Sequence, residues 1–155
     1  MTNCTVEQLE FPAIKGRKVQ AEFSGGDISS DGGVLLLRQI DKKLGLLQSV
    51  DRILPDPRHP DLITHSQLSL LQQRVYGLCQ GYEDLNDHQQ LRLDPAFQTA
   101  VDRDDELGSQ ATLCRLENRI DRQAIIDVHK LFLEQFIRSF AERQGRLKAE
   151  AVSPR

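Results

Sequence analysis

The sequence predicts a mainly α chain, a set of several helices with one short β-strand or hairpin near the N-terminus. Three observations lead there. From residue 34 onward, apolar residues recur at three- and four-residue intervals, the spacing of one helix face. Ser, Thr and Asp stand where such stretches begin, and Gly or Pro interrupts them. The period-two alternation of a half-buried strand occurs at Val19-Gln20-Ala21-Glu22-Phe23, close to the start of the chain.

With 155 residues, 39% hydrophobic and 28% charged, the chain fits one globular domain with tails. A chain of that size buries roughly two thirds of its extended surface, enough for a real core. No apolar run approaches the ~18 residues of a membrane span. Met1-Thr2-Asn3-Cys4-Thr5-Val6-Glu7 lacks the basic start and apolar stretch of a secretory signal. Cys4, Cys79 and Cys114 are odd in number and far apart, so they read as buried or free thiols of a reducing cytoplasm. The net charge of −3 excludes a uniformly basic nucleic-acid binder. It conceals a gradient, with 9 Arg/Lys against 6 Asp/Glu over 112–155 and 11 against 17 over 1–111.

Residues 1–17 lack periodicity and read as a loose lead-in. The turn-rich stretch from Ser24 to Gly33 separates the strand from a helix starting near Val34. In that helix Leu36 or Leu37, Ile40, Leu44 and Leu47 mark the inner face, with Ser30 or Asp31 as cap. Gly45 marks a break, and a second short helix runs through Ile53. Pro55, Pro57 and Pro60 impose a rigid connector. Thr64 with Gln67 has the pattern of a capping box. The helix after it carries the stripe Leu68, Leu71, Val75, Leu78, Tyr82 and Leu85, interrupted at Gly81. Asp94-Pro95 places a cap before a proline at the first helical position, with Phe97 and Val101 inward. Ser109 caps a helix through Arg119. The last helix spans about Arg122 to Glu142, with Ile125, Ile126, His129, Phe132, Phe136, Ile137 and Phe140 on its apolar face.

Most chemical motifs are absent. Gly25-Gly26 and Gly32-Gly33 are followed by no Gly-Lys-Ser/Thr, and read as turns. His59, His65, His88 and His129 show no metal-ligand spacing, and His129 reads as a core histidine. Glu83, Asp84 and Asp87 resemble the carboxylate clusters that hold paired cations, yet they stand where acids complement the first turn of a helix. No Ser or Cys has the surroundings of a nucleophile. One segment points to function. Gly108 to Arg119 forms a capped helix whose Leu113 and Leu116 face inward, leaving Gln110, Thr112, Arg115, Asn118 and Arg119 outward. Those residue types reach base edges and phosphates from the first half of a recognition helix.

Four spaced motifs widen this reading: Gly81-Tyr82-Glu83-Asp84-Leu85-Asn86-Asp87, Leu91-Arg92-Leu93-Asp94-Pro95, Gly108-Ser109-Gln110-Ala111-Thr112-Leu113 and Arg115-Leu116-Glu117-Asn118-Arg119. With Asp27 to Gly33 and Leu54-Pro55-Asp56-Pro57-Arg58, they resemble, in order, the N-terminal part of bacterial insertion-sequence DDE transposases of the DDE domain, group 1 type. The resemblance covers about residues 18–140. It implies a helical N-terminal region followed by an RNase H-like core, whose Asp, Asp and Glu hold two Mg²⁺ ions for strand cutting. No β-rich run with an aspartate follows residue 130. The RNase H-like core is therefore expected to be absent, and the chain to be a truncated fragment. Its expected parts are the lead-in at 1–17, the helical region at 18–144 and a frayed tail at 145–155.

The resemblance implies DNA binding at transposon ends for DNA transposition, without a catalytic residue or metal ligand in this chain. Magnesium is expected for the full-length family, and no cofactor here. The expected DNA-binding set is Gln110, Thr112, Arg115, Asn118, Arg119 and Arg122. Gly81, Tyr82, Glu83, Asp84, Asn86 and Asp87 are expected to be structural residues of the family motif. Expected partners are transposon-end DNA and another transposase subunit, not a membrane, in the bacterial cytoplasm at the nucleoid. The alternative is an interaction or inhibitory module that associates with full-length transposase and touches no DNA.

Overall fold

In the computed structural model, residues 8–14, 17–22 and 30–152 are described. Two antiparallel strands, β1 (Gln8–Ile14) and β2 (Arg17–Glu22), form a hairpin. Phe11 pairs with Val19 and Gln8 with Glu22, and an irregularity falls between Phe11 and Ile14. The stretch expected to be a loose lead-in thus contains β1. Its alternation is broken by Pro12, which cannot donate a ladder hydrogen bond, and so the strand was hidden from a period-two reading. Phe23, Cys4 and most of the 24–33 turn lie outside the described residues.

Among the described residues seven helices follow: α1 (Val34–Leu44), α2 (Leu46–Ile53), α3 (Gln67–Cys79), α4 (His88–Leu91), α5 (Pro95–Ala100), α6 (Gln110–Asn118) and α7 (Arg122–Val152). Gly45 separates α1 from α2 with a left-handed backbone, φ 63°. Short 3-10 turns at Ser30–Gly33, Pro60–Leu62 and Leu85–Asp87 link the elements. The mainly α class with an N-terminal hairpin is the class the sequence predicts.

α3 is the axis of the helical body. Its Tyr76 joins Val34, Leu47, Leu91, Phe97, Ala100, Val101 and Leu107 in one apolar cluster. Its Leu70 and Leu71 join Val50, Leu54, Leu113, Leu116 and Ala124 in a second. Because clusters lie on two sides, α3 buries Gln67, Ser69, Gln72 and Gln73 as well as Leu70, Tyr76 and Gly77. The single stripe expected for it is therefore corrected: Leu71 is buried, Leu68 and Val75 are half-buried, and Leu78 is exposed. A one-face stripe describes a helix at the surface of a domain, not one enclosed from two sides.

Capping is correct at two sites and displaced at two. Asp94 accepts from the backbone N–H groups of Ala96 and Phe97, and Ser109 accepts from Thr112 N. At α3 the cap is Ser66, which accepts from Ser69 N, not Thr64. Gln67 instead donates to the carbonyls of Asp51 and Leu54, tying α3 to the end of α2. At α1 neither Ser30 nor Asp31 is the cap. Gly33 holds that position without a side-chain bond, and Asp31 accepts from the Tyr82 hydroxyl at 2.8 Å.

The inner faces of α1 and α7 also differ from expectation. α1 buries Val34 and Arg38 and leaves Ile40 and Leu44 exposed. Arg38 crosses to Asp102 at 2.6 Å, which makes its burial tolerable. α7 rests on the body through Ala124, Val128 and Leu131. Ile125, Ile126, Phe132, Leu133, Phe136, Ile137 and Phe140 are 40–60% exposed, and His129 is exposed rather than in the core. α7 has two apolar faces. Period analysis selects the wider, and packing covers the narrower, where small Ala124 permits close approach. Helical backbone continues to Val152, past the expected end near Glu142.

Candidate nucleic-acid interface

α6 is fixed from below by close packing. Leu113 is fully buried and Leu116 nearly so. Gly108 precedes the helix at a point where a Cβ would lie 2.5 Å from Leu70 Cδ2 and 3.1 Å from Gln73 Oε1. Only a residue without a side chain lets the backbone pass α3 this closely. The Gly108 carbonyl accepts from Gln73 Nε2 at 2.8 Å, so the start of α6 is bonded to the core. Gln73 Nε2 also lies 3.4 Å from His88 Nδ1. His88 is fully buried, and burial, followed by the charge of Arg74, pushes its pKa down to about 4.

The outward residues of α6 differ in what they already hold. Arg115 is exposed and has no ion-pair partner among the described residues, and the same is true of Arg122 at the first position of α7. Gln110 is half-buried and donates to Asn86 Oδ1 at 2.6 Å. The Thr112 hydroxyl lies 3.1 Å from Ser109 Oγ. Asn118 turns back along the helix to the Cys114 carbonyl. Arg119 is half-buried and spans two partners, Asp56 Oδ1 at 3.0 Å and Gln67 Oε1 at 2.6 Å. Five of the six expected residues thus surround α6, and Arg122 opens the helix that follows.

The connector before α3 meets this surface. Asp56 receives both Arg58 (Nη2 at 2.6 Å) and Arg119. The Arg58 side-chain bond leads the effects that hold the Asp56 carboxyl down to about 2. Arg58 also donates to the His65 carbonyl at 2.9 Å. Between connector and helix lies a cleft of about 280 Å³, lined in part by Arg58, His65, Thr112, Arg115 and Arg119. Sequence reasoning assigns neither Arg58 nor His65 to a site. Arg58 stands in the Leu54-Pro55-Asp56-Pro57-Arg58 motif, which carries no indication of the element it would face, and His65 has no signal beyond its residue type.

The Gly81 to Asp87 motif braces the same region. Gly81 has a left-handed φ of 94°. Tyr82 bonds Asp31, and Arg74 donates to the carbonyls of Tyr82 and Glu83 and pairs with Glu117. Asp84 caps the following turn by accepting from Asn86 N at 2.9 Å, the leading cause of its lowered pKa. Asn86 in turn receives Gln110, joining the motif to α6. Asp87 is exposed.

Among the described residues there is no group of three or more His, Cys, Asp or Glu side chains placed to hold a metal ion. Asp84 spends its carboxylate on Asn86. These residues do not fit a two-metal cage, and no cutting step follows from them. No helix among the described residues is long and apolar enough to cross a membrane.

The family described as transposase DDE domain group 1 matches residues 11–148. No curated protein and no solved structure matches the chain.

Proposed function

Because this chain belongs to the group 1 family of transposase DDE domains, whose work is DNA transposition, we propose that it binds transposon-end DNA through the outward side of α6. DDE transposases generally bind DNA and depend on divalent metal. Binding at the transposon ends is the role assigned to this chain, in the bacterial cytoplasm at the nucleoid.

One observation carries this reading. A helix anchored by Leu113, Leu116 and Gly108 presents Arg115, with Arg122 beyond it, and neither guanidinium is neutralised by a carboxylate among the described residues. Unpaired arginines on a rigid support suit phosphate contact, because they release counterions condensed on the DNA without first breaking an ion pair. Arg119 holds the connector against α6 through Asp56 and Gln67, and Gln110 and Asn118 lie at the polar edge of that helix. In a gel shift with terminal inverted-repeat duplex, the chain is expected to bind. Changing Arg115 and Arg122 together to Ala is expected to weaken binding at least tenfold. Equal affinity for the altered chain removes the assignment.

A second reading, association with another transposase subunit, is favoured by the outward face of α7. Leu44 and Leu46 meet Phe132 and Phe136 around an open groove of about 640 Å³. Exposed apolar surface of this kind marks protein–protein contact. Sedimentation without DNA tests it: a concentration-dependent mass increase supports association, and a monomer throughout excludes self-association.

A further inference from the structure

The cleft between the 55–65 connector and α6 holds more positive charge than its internal bonds use. Three guanidinium groups, from Arg58, Arg115 and Arg119, line it, and Asp56 pairs with two of them. A guanidinium has five N–H donors. Arg58 commits three of them, to the two Asp56 oxygens and the His65 carbonyl. Arg119 commits two, to Asp56 and Gln67. Arg115 commits none among the described residues. All three residues line the cleft, and Arg115 is exposed.

His65 lines the same cleft, and its Nδ1 is buried without a hydrogen-bond partner among the described residues. Burial, and then the nearby charges of Arg103, Arg58 and Arg92, lower the His65 pKa. The cleft of about 280 Å³ far exceeds the ~10–15 Å³ needed for one water, so it admits a tetrahedral oxyanion together with water.

We propose that this cleft is a phosphate-binding pocket, in which Arg115 and the uncommitted donors of Arg58 and Arg119 take the oxygens of one phosphate group, beside the ring of His65. The identification of that phosphate with the backbone of bound DNA rests on the DNA-binding reading above; the pocket itself does not. Asp56 keeps Arg58 and Arg119 preorganised, so two of the three guanidinium groups are in place before the ligand arrives.

The test follows the imidazole nitrogens of the whole chain by NMR, with His65 assigned through His65→Gln. Inorganic phosphate is titrated against chloride at matched ionic strength, and duplex DNA is added in a separate series. The expected result is a saturable His65 shift with phosphate that chloride does not produce, weakened at least fivefold in Arg115→Gln. Arg115 is exposed, so this variant keeps the fold, which amide spectra verify. A His65 shift caused by DNA and competed by phosphate identifies the backbone as the source. Saturable phosphate binding without any DNA binding supports the pocket with free phosphate as its ligand, and defeats the DNA reading alone. DNA binding that moves α6 amides but leaves His65 unmoved, with phosphate also without effect, overturns the pocket and leaves the DNA reading standing.

Discussion

Acidification tests the buried node that seats α6. His88 packs against Gln73 and Gly77, fully enclosed, with Gln73 Nε2 facing its Nδ1 and no partner at Nε2 among the described residues. Its pKa falls from 6.5 to about 4, through burial first and the charge of Arg74 second, with Asp87 and Glu117 pulling weakly the other way. The folded state therefore binds this proton less readily than the unfolded chain. The stability associated with a neutral His88 is complete above pH 6.5 and is lost as pH falls toward 4. A difference of 2.5 between those two values corresponds to roughly 3 kcal/mol in full, of which about 2 kcal/mol is already lost at pH 5. Urea unfolding followed by far-ultraviolet circular dichroism at pH 7, 6, 5 and 4 measures it. His88→Asn, which cannot titrate, is expected to be less stable at pH 7 but to lose markedly less between pH 6.5 and 4. Parallel pH profiles for the two proteins refute the assignment, whatever their absolute stabilities. Direct titration of the ring by NMR gives a second readout, with a midpoint near 4 in the folded chain.

Gly108→Ala drives a methyl group into Leu70 and is expected to cost about 1–3 kcal/mol, read as a lower thermal midpoint. Asp94→Ala removes a cap that serves two backbone N–H groups, and a loss of ~1 kcal/mol in chemical denaturation is expected. Asp56→Asn releases Arg58 and Arg119 together. Partial exposure screens these pairs, so about 1 kcal/mol is expected to be lost at pH 7. Because the Asp56 pKa is depressed, its contribution is present above 3.8 and lost as pH falls toward 2, so the variant and the parent should converge in that range.

Features that depend on neighbours in sequence were legible. The Asp94-Pro95 start of α5, the Ser109 cap of α6 and the Gly45 break each arise from bonds spanning two to four residues. Features that depend on what lies across the fold were not. Periodicity found that α7 carries a strong apolar face, but Ala124, Val128 and Leu131 meet the body, and the phenylalanine face looks outward. α3 was read as one-sided because its glutamines look like surface residues. Gln67 and Gln73 are buried because backbone carbonyls of Asp51, Leu54 and Gly108 satisfy them.

The candidate interface shows the same division. The spacing on a capped helix puts Arg115 on the exposed side, which local geometry alone decides, whereas Gln110 is half-buried against Asn86. That Arg119 is already engaged was hidden, because Asp56 lies 63 residues away in sequence. The cleft with His65 was hidden for the same reason, since a connector's three prolines predict rigidity but not the helix it will face.

The salt dependence of DNA binding is the most direct test of the central claim. Affinity for a terminal inverted-repeat duplex is measured across a range of sodium chloride for the parent chain and for Arg115→Ala with Arg122→Ala. If these arginines contact phosphates, the slope of log K against log salt becomes shallower by about 2 in the double variant. An unchanged slope at unchanged affinity contradicts the placement of DNA on α6.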